Sequence, residues 1–253
     1  MTEYQDSKDK YSIIIPYRDR EEHLTLLLPR LQEVFKDKDY EIIVSEQNDN
    51  DNFNLACTQN IASQHITGNI IILHQVDYYP TDDVSYEIND QPILPARKGI
   101  FVDKNLNPRD FNDIPGGYRK WMEGIDDNFY GGVVVMRTEH WDKINGINPL
   151  YKGWGNEDED LRERFKWAGY SPIRNNIGTF LCLYHEDNGD IAKKPTEHQQ
   201  DFIDGRNLFS RAYEYRHIGY KNLTADVEIF ETDLENVKWL KSTNYKVNMD
   251  GNL

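Results

Sequence analysis

The segment 153–160 places a glycine-flanked tryptophan directly before four consecutive acidic residues: Gly-Trp-Gly-Asn-Glu-Asp-Glu-Asp. Carboxylates can take up protons and accept hydrogen bonds from a polar ligand. The flanking glycines give the tryptophan loop conformational freedom. A carboxylate cluster behind a hinged aromatic side chain therefore indicates a functional site.

A structural interpretation of the same acids stays open. Leu161, Phe165 and Ala168 recur at helical spacing, so the acids occupy the first turn of a predicted helix. Asn156 is the predicted N-cap, with Glu159 as its capping-box partner. Acids at a helix N-terminus are stabilised by unpaired N–H groups and by the helix dipole, whether or not they do chemistry.

Asp77 and His185 each follow an apolar strand candidate, and His185 lies in a loop rich in Asp and Glu. Such a pair could hold a divalent metal with open positions for a diphosphate. The alternatives are that Asp77 only caps a turn with Pro80, and that His185, like most single histidines, binds no metal.

Two arginines and an aromatic ring lie close together in Pro16-Tyr17-Arg18-Asp19-Arg20. Guanidinium groups suit bidentate phosphate binding, and a ring can stack on a base. An exposed Arg/Glu salt-bridge surface explains the same residues. Gly131-Gly132 similarly indicates either simple packing or a close approach of the backbone to a sugar or phosphate.

The elements that position these residues alternate between strand and helix. Tyr11–Pro16, Glu41–Ser45 and Ile70–Leu73 are predicted strands, and helices are predicted from Leu24 to Val34 and from Phe53 to His65. This alternation predicts an α/β fold with a parallel sheet, whose ligands bind at the carboxyl ends of the strands. Arg18 and Asp77 then lie on one rim.

The later elements are less regular. Residues 78–128 are predicted to form loops with short strands over that rim. Further strands are predicted at Tyr130–Met136 and Gly178–Tyr184, a helix at Thr196–Tyr215, and short strands near Thr224–Phe230 and Tyr245–Val247.

Composition excludes several classes of protein. The 253 residues carry a net charge of −15, which argues against nucleic-acid binding and against docking on anionic lipid. With only Cys57 and Cys182, no disulfide is expected.

No apolar run approaches the ~20 residues of a membrane span, so we expect a soluble, cytoplasmic protein without a transmembrane segment. No Walker loop, Rossmann fingerprint, nucleophile elbow or CxxC pair is present.

Five ordered blocks together resemble the β-1,4-galactosyltransferase family, glycosyltransferase family 7. They are 14–24 (IIPYRDREEHL), 74–77 (HQVD), 129–133 (FYGGV), 144–146 (ING) and 153–160 (GWGNEDED). The resemblance implies a single GT-A-type domain over residues 11–253, after a polar lead at 1–10. Its donor-binding part spans about 11–128 and its acceptor and catalytic part about 129–253. We expect a soluble microbial or viral member.

The resemblance also implies a reaction: inverting transfer of galactose from UDP-galactose to a glycan acceptor, with manganese, or alternatively magnesium, as cofactor. Asp158 matches the catalytic base. Glu157 and Asp158 also match acceptor-binding positions, and Glu159 stands where the family has an acceptor-binding Asp. The same group includes Trp154, whose loop swings over the donor, and Phe129, whose bulk favours galactose over N-acetylgalactosamine.

Further positions match the family's donor and metal sites. Asp77 and His185 match metal ligands, and Cys182 stands at a third ligand position that a soft thiolate suits poorly for manganese. Leu55 replaces a family arginine, and the segment from His185 to about Arg206 matches a longer closing loop. The implied donor-binding residues are Pro16, Tyr17, Arg18, Arg20, Phe53, Gln75, Val76, Asp77, Gly132 and Trp154.

Other functions stay open on sequence alone. The same fold could use UDP-N-acetylgalactosamine, UDP-N-acetylglucosamine or UDP-glucose. A non-catalytic carbohydrate-binding module is a second alternative, because Gln75, Leu55 and Cys182 depart from the family pattern. A metal phosphohydrolase that uses Asp77, Asp158 and His185 is a third, although it leaves the Gly-Trp-Gly loop unexplained.

Overall fold

The predicted alternation of strands and helices forms the amino-terminal half of the protein. The computed structural model describes residues 9–110, 112, 114, 119–153, 155–184 and 196–249. Strands β1 (Lys10–Tyr17), β2 (Asp39–Gln47) and β3 (Ile70–His74) are parallel, and helices α1 (Glu21–Phe35) and α2 (Leu55–Ser63) connect them. Parallel neighbours need such crossover helices, and this part of the prediction is confirmed.

These strands lie in an eight-stranded sheet of order β10-β11-β2-β1-β3-β7-β5-β8. β7 runs antiparallel to β3, and β11 is parallel to β2 and antiparallel to β10. The sheet is therefore mostly parallel at its centre, as predicted. Its remaining strands are β5 (Ile93–Leu94), β7 (Val133–Arg137), β8 (Ile173–Arg174), β10 (Leu223–Glu231) and β11 (Val237–Val247).

The prediction of a short last strand at Tyr245–Val247 is wrong, because β11 begins at Val237. The first half of β11 lacks the regular alternation of apolar and polar residues that marks a strand in a sequence. Its lysines Lys238 and Lys241 instead form ion pairs with the neighbouring strand. Lys238 Nζ lies 2.7 Å from a carboxylate oxygen of Glu41, and Lys241 Nζ lies 3.5 Å from one of Glu46.

A second, three-stranded sheet packs beside the first. β9 (Thr179–Leu183) lies between β4 (Tyr78–Pro80), to which it is antiparallel, and β6 (Lys98–Val102), to which it is parallel. The predicted loops and short strands after residue 78 are thus confirmed.

The two faces of the large sheet bury different clusters. Ile13 and Ile15 face α1 and the small sheet, and Ile14 faces α2 and the later helices, as the two-residue period of a strand requires. A strand buried on both faces is apolar throughout, which is why this run was recognisable.

Among the described residues, the α-helices after the central strands include α3 (Thr138–Ile144), α4 (Glu157–Trp167) and α5 (Thr196–Phe209). α5 ends before the predicted Tyr215, and the chain continues as turns. Within the described residues, no helix has the length and apolar character needed to cross a bilayer.

Candidate active site

A cleft opens where α2, the end of β3, the start of β7 and the start of α4 meet. Four of the predicted site residues line it: Gln75, Gly132, Glu157 and Asp158. They come from three separate parts of the chain, and the crossover topology brings them together. The other lining residues are Leu55, Gln59, Leu73, Tyr130, Gly131, Val134, Ile147 and Leu161.

Two glycines line one wall of the cleft, and neither position has room for a side chain. Gly132 has a φ of +91°, and a Cβ there would lie 2.5 Å from the ring of Tyr78. A Cβ at Gly131 would lie 2.6 Å from the ring of Phe129 and 3.4 Å from the Asp158 carboxylate. The absence of a side chain therefore leaves backbone exposed beside Asp158, which permits close approach of a ligand.

The first turn of α4 holds half-buried Glu157, Asp158 and Glu159. Burial raises the pKa of Asp158, and the charge of Glu159 raises it further, whereas the Glu159 N–H and Arg162 lower it. That N–H donates to Asp158 Oδ1 at 2.9 Å. Burial and the charge of Asp158 raise the pKa of Glu157 to about 8. Burial thus opposes the ionised form of both acids, whereas the Glu159 N–H and Arg162 favour ionisation of Asp158.

The predicted capping box is wrong. Asn156 occupies the N-cap position, but its φ of 75° is left-handed and its side chain makes no capping hydrogen bond. Its Oδ1 and Nδ2 atoms are buried and have no hydrogen-bond partner among the described residues. Asp158, rather than Asn156, accepts an N–H group of the first turn.

Asp160, the fourth acid, serves packing rather than the cleft. It is fully buried and lies 2.6 Å from the guanidinium of buried Arg164. Arg164 also donates to the carbonyls of Ile144 and Ile218, at 3.2 and 2.7 Å. This pair fixes α4 against two loops and thereby positions Asp158.

At the end of β1, Arg18 lies beside Phe53. Arg18 donates to the carbonyl of Asp51 at 2.7 Å, and its guanidinium carbon lies 5.4 Å from the centroid of the Phe53 ring. The Phe53 carbonyl accepts a hydrogen bond from the Gly153 N–H at 2.9 Å. The arginine loop is thereby connected to the segment that carries the acids.

The other predicted donor residues lie along the same rim. Pro16 and Tyr17 end β1, and the Tyr17 ring packs edge-on against Trp239 with centroids 5.1 Å apart. Half-buried Arg20 donates to the carbonyl of Asp19. The Val76 side chain is buried in the core, so only its backbone could face a ligand.

Asp77 lies beside the end of β9, where its carbonyl accepts the Leu183 N–H at 2.8 Å. Its carboxylate is a hard oxygen donor of the kind that manganese and magnesium prefer. Cys182 does not fit such an ion, because it is buried, and burial together with the charge of Asp77 raises the pKa of its thiol. Cys57 is likewise buried and free.

His185 and Trp154 lie outside the described residues, so their placement stays a prediction. Within the described ranges, no group of three or more His, Cys, Asp and Glu side chains could hold a metal ion.

Two residues near the site were missed from sequence. Arg174 donates to the carbonyls of Phe129 and of Ala96, and so fixes the Phe129 loop, whose ring packs 4.6 Å from that of Trp121. An isolated arginine in a two-residue strand gives no sequence signal. Gln59 lines the cleft from α2, and only its spacing of one helical turn from Leu55 could have indicated it.

Two family profiles match this chain. One, described as the N-terminal region of glycosyl transferase group 7, matches residues 3–88, and the other, described as the N-terminal domain of galactosyltransferase, matches residues 120–186. Together they cover more than half of the sequence.

Curated relatives point the same way. β-1,4-Galactosyltransferase 4 of Cricetulus griseus is 31% identical over 191 residues, which are 72% of this chain and 50% of that protein. β-1,4-Galactosyltransferase 5 of Mus musculus is 28% identical over 235 residues, which are 86% of this chain and 56% of that protein. The chain thus spans about half the length of the curated relatives it matches.

Among solved structures, the catalytic domain of Drosophila β1,4-galactosyltransferase 7 in complex with xylobiose matches with a TM-score of 0.70 at 23% identity. The match covers 96% of this chain and 95% of that one. A mutant of the same protein in complex with manganese, UDP-Gal and xylobiose matches with a TM-score of 0.69. The likeness shows the GT-A fold. The profiles and relatives place the chain in a family: it belongs to glycosyltransferase family 7, the β-1,4-galactosyltransferases.

Proposed function

We propose that this chain is an inverting, metal-dependent galactosyltransferase. It transfers galactose from UDP-galactose to a hydroxyl group of a glycan acceptor and forms a β-linkage, with Asp158 as the general base. The observation that carries the proposal is the cleft in which Asp158 faces the bare Gly131–Gly132 wall. Membership of the family, and the UDP-Gal, manganese and xylobiose bound by the Drosophila neighbour, support the choice of reaction.

The two acids of the cleft take different roles. Asp158 removes the proton of the acceptor hydroxyl while that oxygen attacks the anomeric carbon, and the bond from that carbon to the UDP oxygen breaks. A base must be ionised to act, and the Glu159 N–H and Arg162 favour the ionised form of Asp158. Glu157, with its raised pKa, is suited to donate a hydrogen bond to the sugar. Glu159, Phe129 and Trp154 complete the acceptor side.

The rim residues hold the nucleotide. Arg18 and Arg20 are suited to the diphosphate, and Tyr17 and Phe53 to the uracil, with Pro16, Gln75 and the Val76 backbone beside them. Asp77 and His185 would bind Mn²⁺, or Mg²⁺ in its place. When bound, this ion would neutralise charge on the departing diphosphate.

The donor sugar follows from the crowding near Phe129. Its ring packs on Trp121 and covers the space beside Gly131, which leaves little room for an N-acetyl group. We therefore propose that UDP-galactose is the donor, and comparable turnover of UDP-N-acetylgalactosamine would contradict this.

The reaction is tested by measuring UDP release from UDP-galactose with manganese and a panel of simple sugar acceptors. Asp158→Asn should lower acceptor-dependent release by roughly 10²–10⁴-fold, the usual contribution of a general base. Glu163→Gln is the matched control, because Glu163 lies on the same helix and its ion pairs within the described residues are with Arg162 and Lys166; it should retain activity.

Equal release from wild type and Asp158→Asn would remove Asp158 from the role of base. No release from wild type with any UDP-hexose, combined with glycan binding, would favour a carbohydrate-binding module. Release of inorganic phosphate from nucleotides would favour a phosphohydrolase.

The relatives named above are animal proteins. They do not support the predicted microbial or viral origin. That origin and the cytoplasmic setting stay predictions.

A further inference from the structure

Gln59 differs from the other buried amides of α2. Asn54 donates to the Pro149 carbonyl and accepts the Cys57 N–H, at 2.9 and 2.8 Å. Asn60 donates to the Ile147 carbonyl and accepts its N–H, at 2.7 and 3.1 Å. Gln59 as a residue is only 3% exposed, yet its side chain makes no hydrogen bond to any residue in the described part of the chain.

The position of Gln59 explains this difference. It lines the cleft that also contains Asp158, one helical turn beyond Leu55 and therefore on the same face of α2. The neighbouring walls are apolar, with Leu55, Leu73 and Leu161, and offer the amide no partner. The buried side-chain atoms without a partner in the described residues do not include the Gln59 amide, so the amide is open to the cleft and can bond water there. A ligand that displaces this water has to offer the amide a hydrogen bond in its place.

The charges of the cleft indicate which ligand group that is. Among its described lining residues there is no lysine or arginine, and Glu157 and Asp158 are acidic. A phosphate would therefore be repelled, whereas a neutral hydroxyl group can donate to the acids and also bond an amide. Since an amide both donates and accepts, it suits a sugar hydroxyl in either orientation.

We propose that Gln59 is a specificity-determining residue whose side-chain amide hydrogen-bonds a hydroxyl group of the donor hexose in this cleft. The assignment rests on the proposed function, because it takes the cleft as the place of the transferred sugar. Gln59 would thus supply a polar contact from α2, whereas the apolar side chain of Leu55 on the same helix can supply none. A donor that lacks this hydroxyl leaves the amide unpaired and is therefore bound less tightly.

The test compares binding of UDP and of UDP-galactose, with manganese present, to wild type and to Gln59→Leu by calorimetry. Loss of one net hydrogen bond should weaken UDP-galactose binding roughly 2- to 12-fold. Binding of UDP, which has no hexose, should stay the same. Gln64→Leu is the matched control, because Gln64 ends the same helix outside the cleft and bonds the carbonyls of Tyr220 and Leu223.

A second measurement uses monodeoxy analogues of UDP-galactose that each lack one hydroxyl group. Wild type should penalise one analogue by a similar factor, and Gln59→Leu should remove that penalty. Gln59→Met replaces Gln59→Leu if the latter does not fold. Equal penalties in wild type and variant, or equal weakening of UDP and UDP-galactose, would overturn the assignment.

The two proposals fail in different ways. Binding of UDP-galactose that depends on Gln59, without acceptor-dependent release of UDP, supports the assignment of Gln59 and counts against the proposed transfer. Failure of wild type to bind UDP-galactose would overturn both.

Discussion

Arg164→Met should destabilise the protein far more than loss of a surface ion pair. Arg164 is buried, and its guanidinium reaches Asp160, the carbonyl of the last α3 residue and one just after α3, and two carbonyls after α5. Methionine fills much of the same volume, so the change removes the charge and its hydrogen bonds with little effect on packing.

The size of the stability loss follows from the Asp160 carboxylate that the change leaves unpaired. Asp160 is fully buried, its Oδ1 already has no hydrogen-bond partner in the described residues, and burial raises its pKa even with Arg164 present. Removing one partner of a buried pair costs about 3–5 kcal/mol. For a chain of this size, that lowers the melting temperature by about 6–20 °C.

The control lies on the same helix. Lys166 forms an exposed pair with Glu163 at 2.8 Å, so Lys166→Met should cost only about 0.5 kcal/mol or less. The assay is urea unfolding followed by circular dichroism, with the melting temperature as a second readout.

The double variant Asp160→Leu/Arg164→Met should be more stable than Arg164→Met alone, because it leaves no unpaired buried acid. A loss below about 1 kcal/mol in Arg164→Met, or no difference from Lys166→Met, would refute the reasoning.

Two further predictions concern the acids and the metal. Glu159 raises and Arg162 lowers the pKa of Asp158. A base works when ionised, so kcat/KM should rise as the pH passes through the pKa of Asp158. Glu159→Gln should therefore move this rise to lower pH, and Arg162→Met should move it to higher pH. Measured pH–rate profiles that shift in the same direction for both variants would contradict this. Cys182→Ala should leave manganese affinity within about twofold, because the buried, protonated thiol is not a ligand, and should cost about 1 kcal/mol of stability. Tenfold weaker binding of manganese in a titration would show that the thiol does coordinate the ion.

The sequence predicted the centre of the fold because the centre is apolar. β1 and β3 are runs of isoleucine buried on both faces, and their charged continuations lie at the strand ends. It predicted less about β11, whose lysines pair with acids of the next strand instead of alternating with apolar residues.

Within the site, the family resemblance predicted roles for Glu157, Asp158 and Glu159 but gave none for Asp160. Asp160 and Asp158 are the same residue type in the same acidic run, and only the contact with Arg164 in the structure shows that Asp160 belongs to the core. Gln59 went unnoticed because a polar residue on a buried helix is ordinarily satisfied by its neighbours, as Asn54 and Asn60 are.

The pairing of β11 with β2 also affects the order in which the chain can fold during synthesis. Glu46 accepts a hydrogen bond from Trp239, 193 residues further along the sequence. At about 5–20 residues per second, a ribosome needs about 10–40 s to make that stretch. Until then, β2 has an open edge that can pair with other chains. Because Tyr17 packs on Trp239, the rim proposed to bind the nucleotide is completed only when this strand arrives. A nascent chain stalled before residue 237 would therefore be prone to aggregate and would lack part of the proposed donor site.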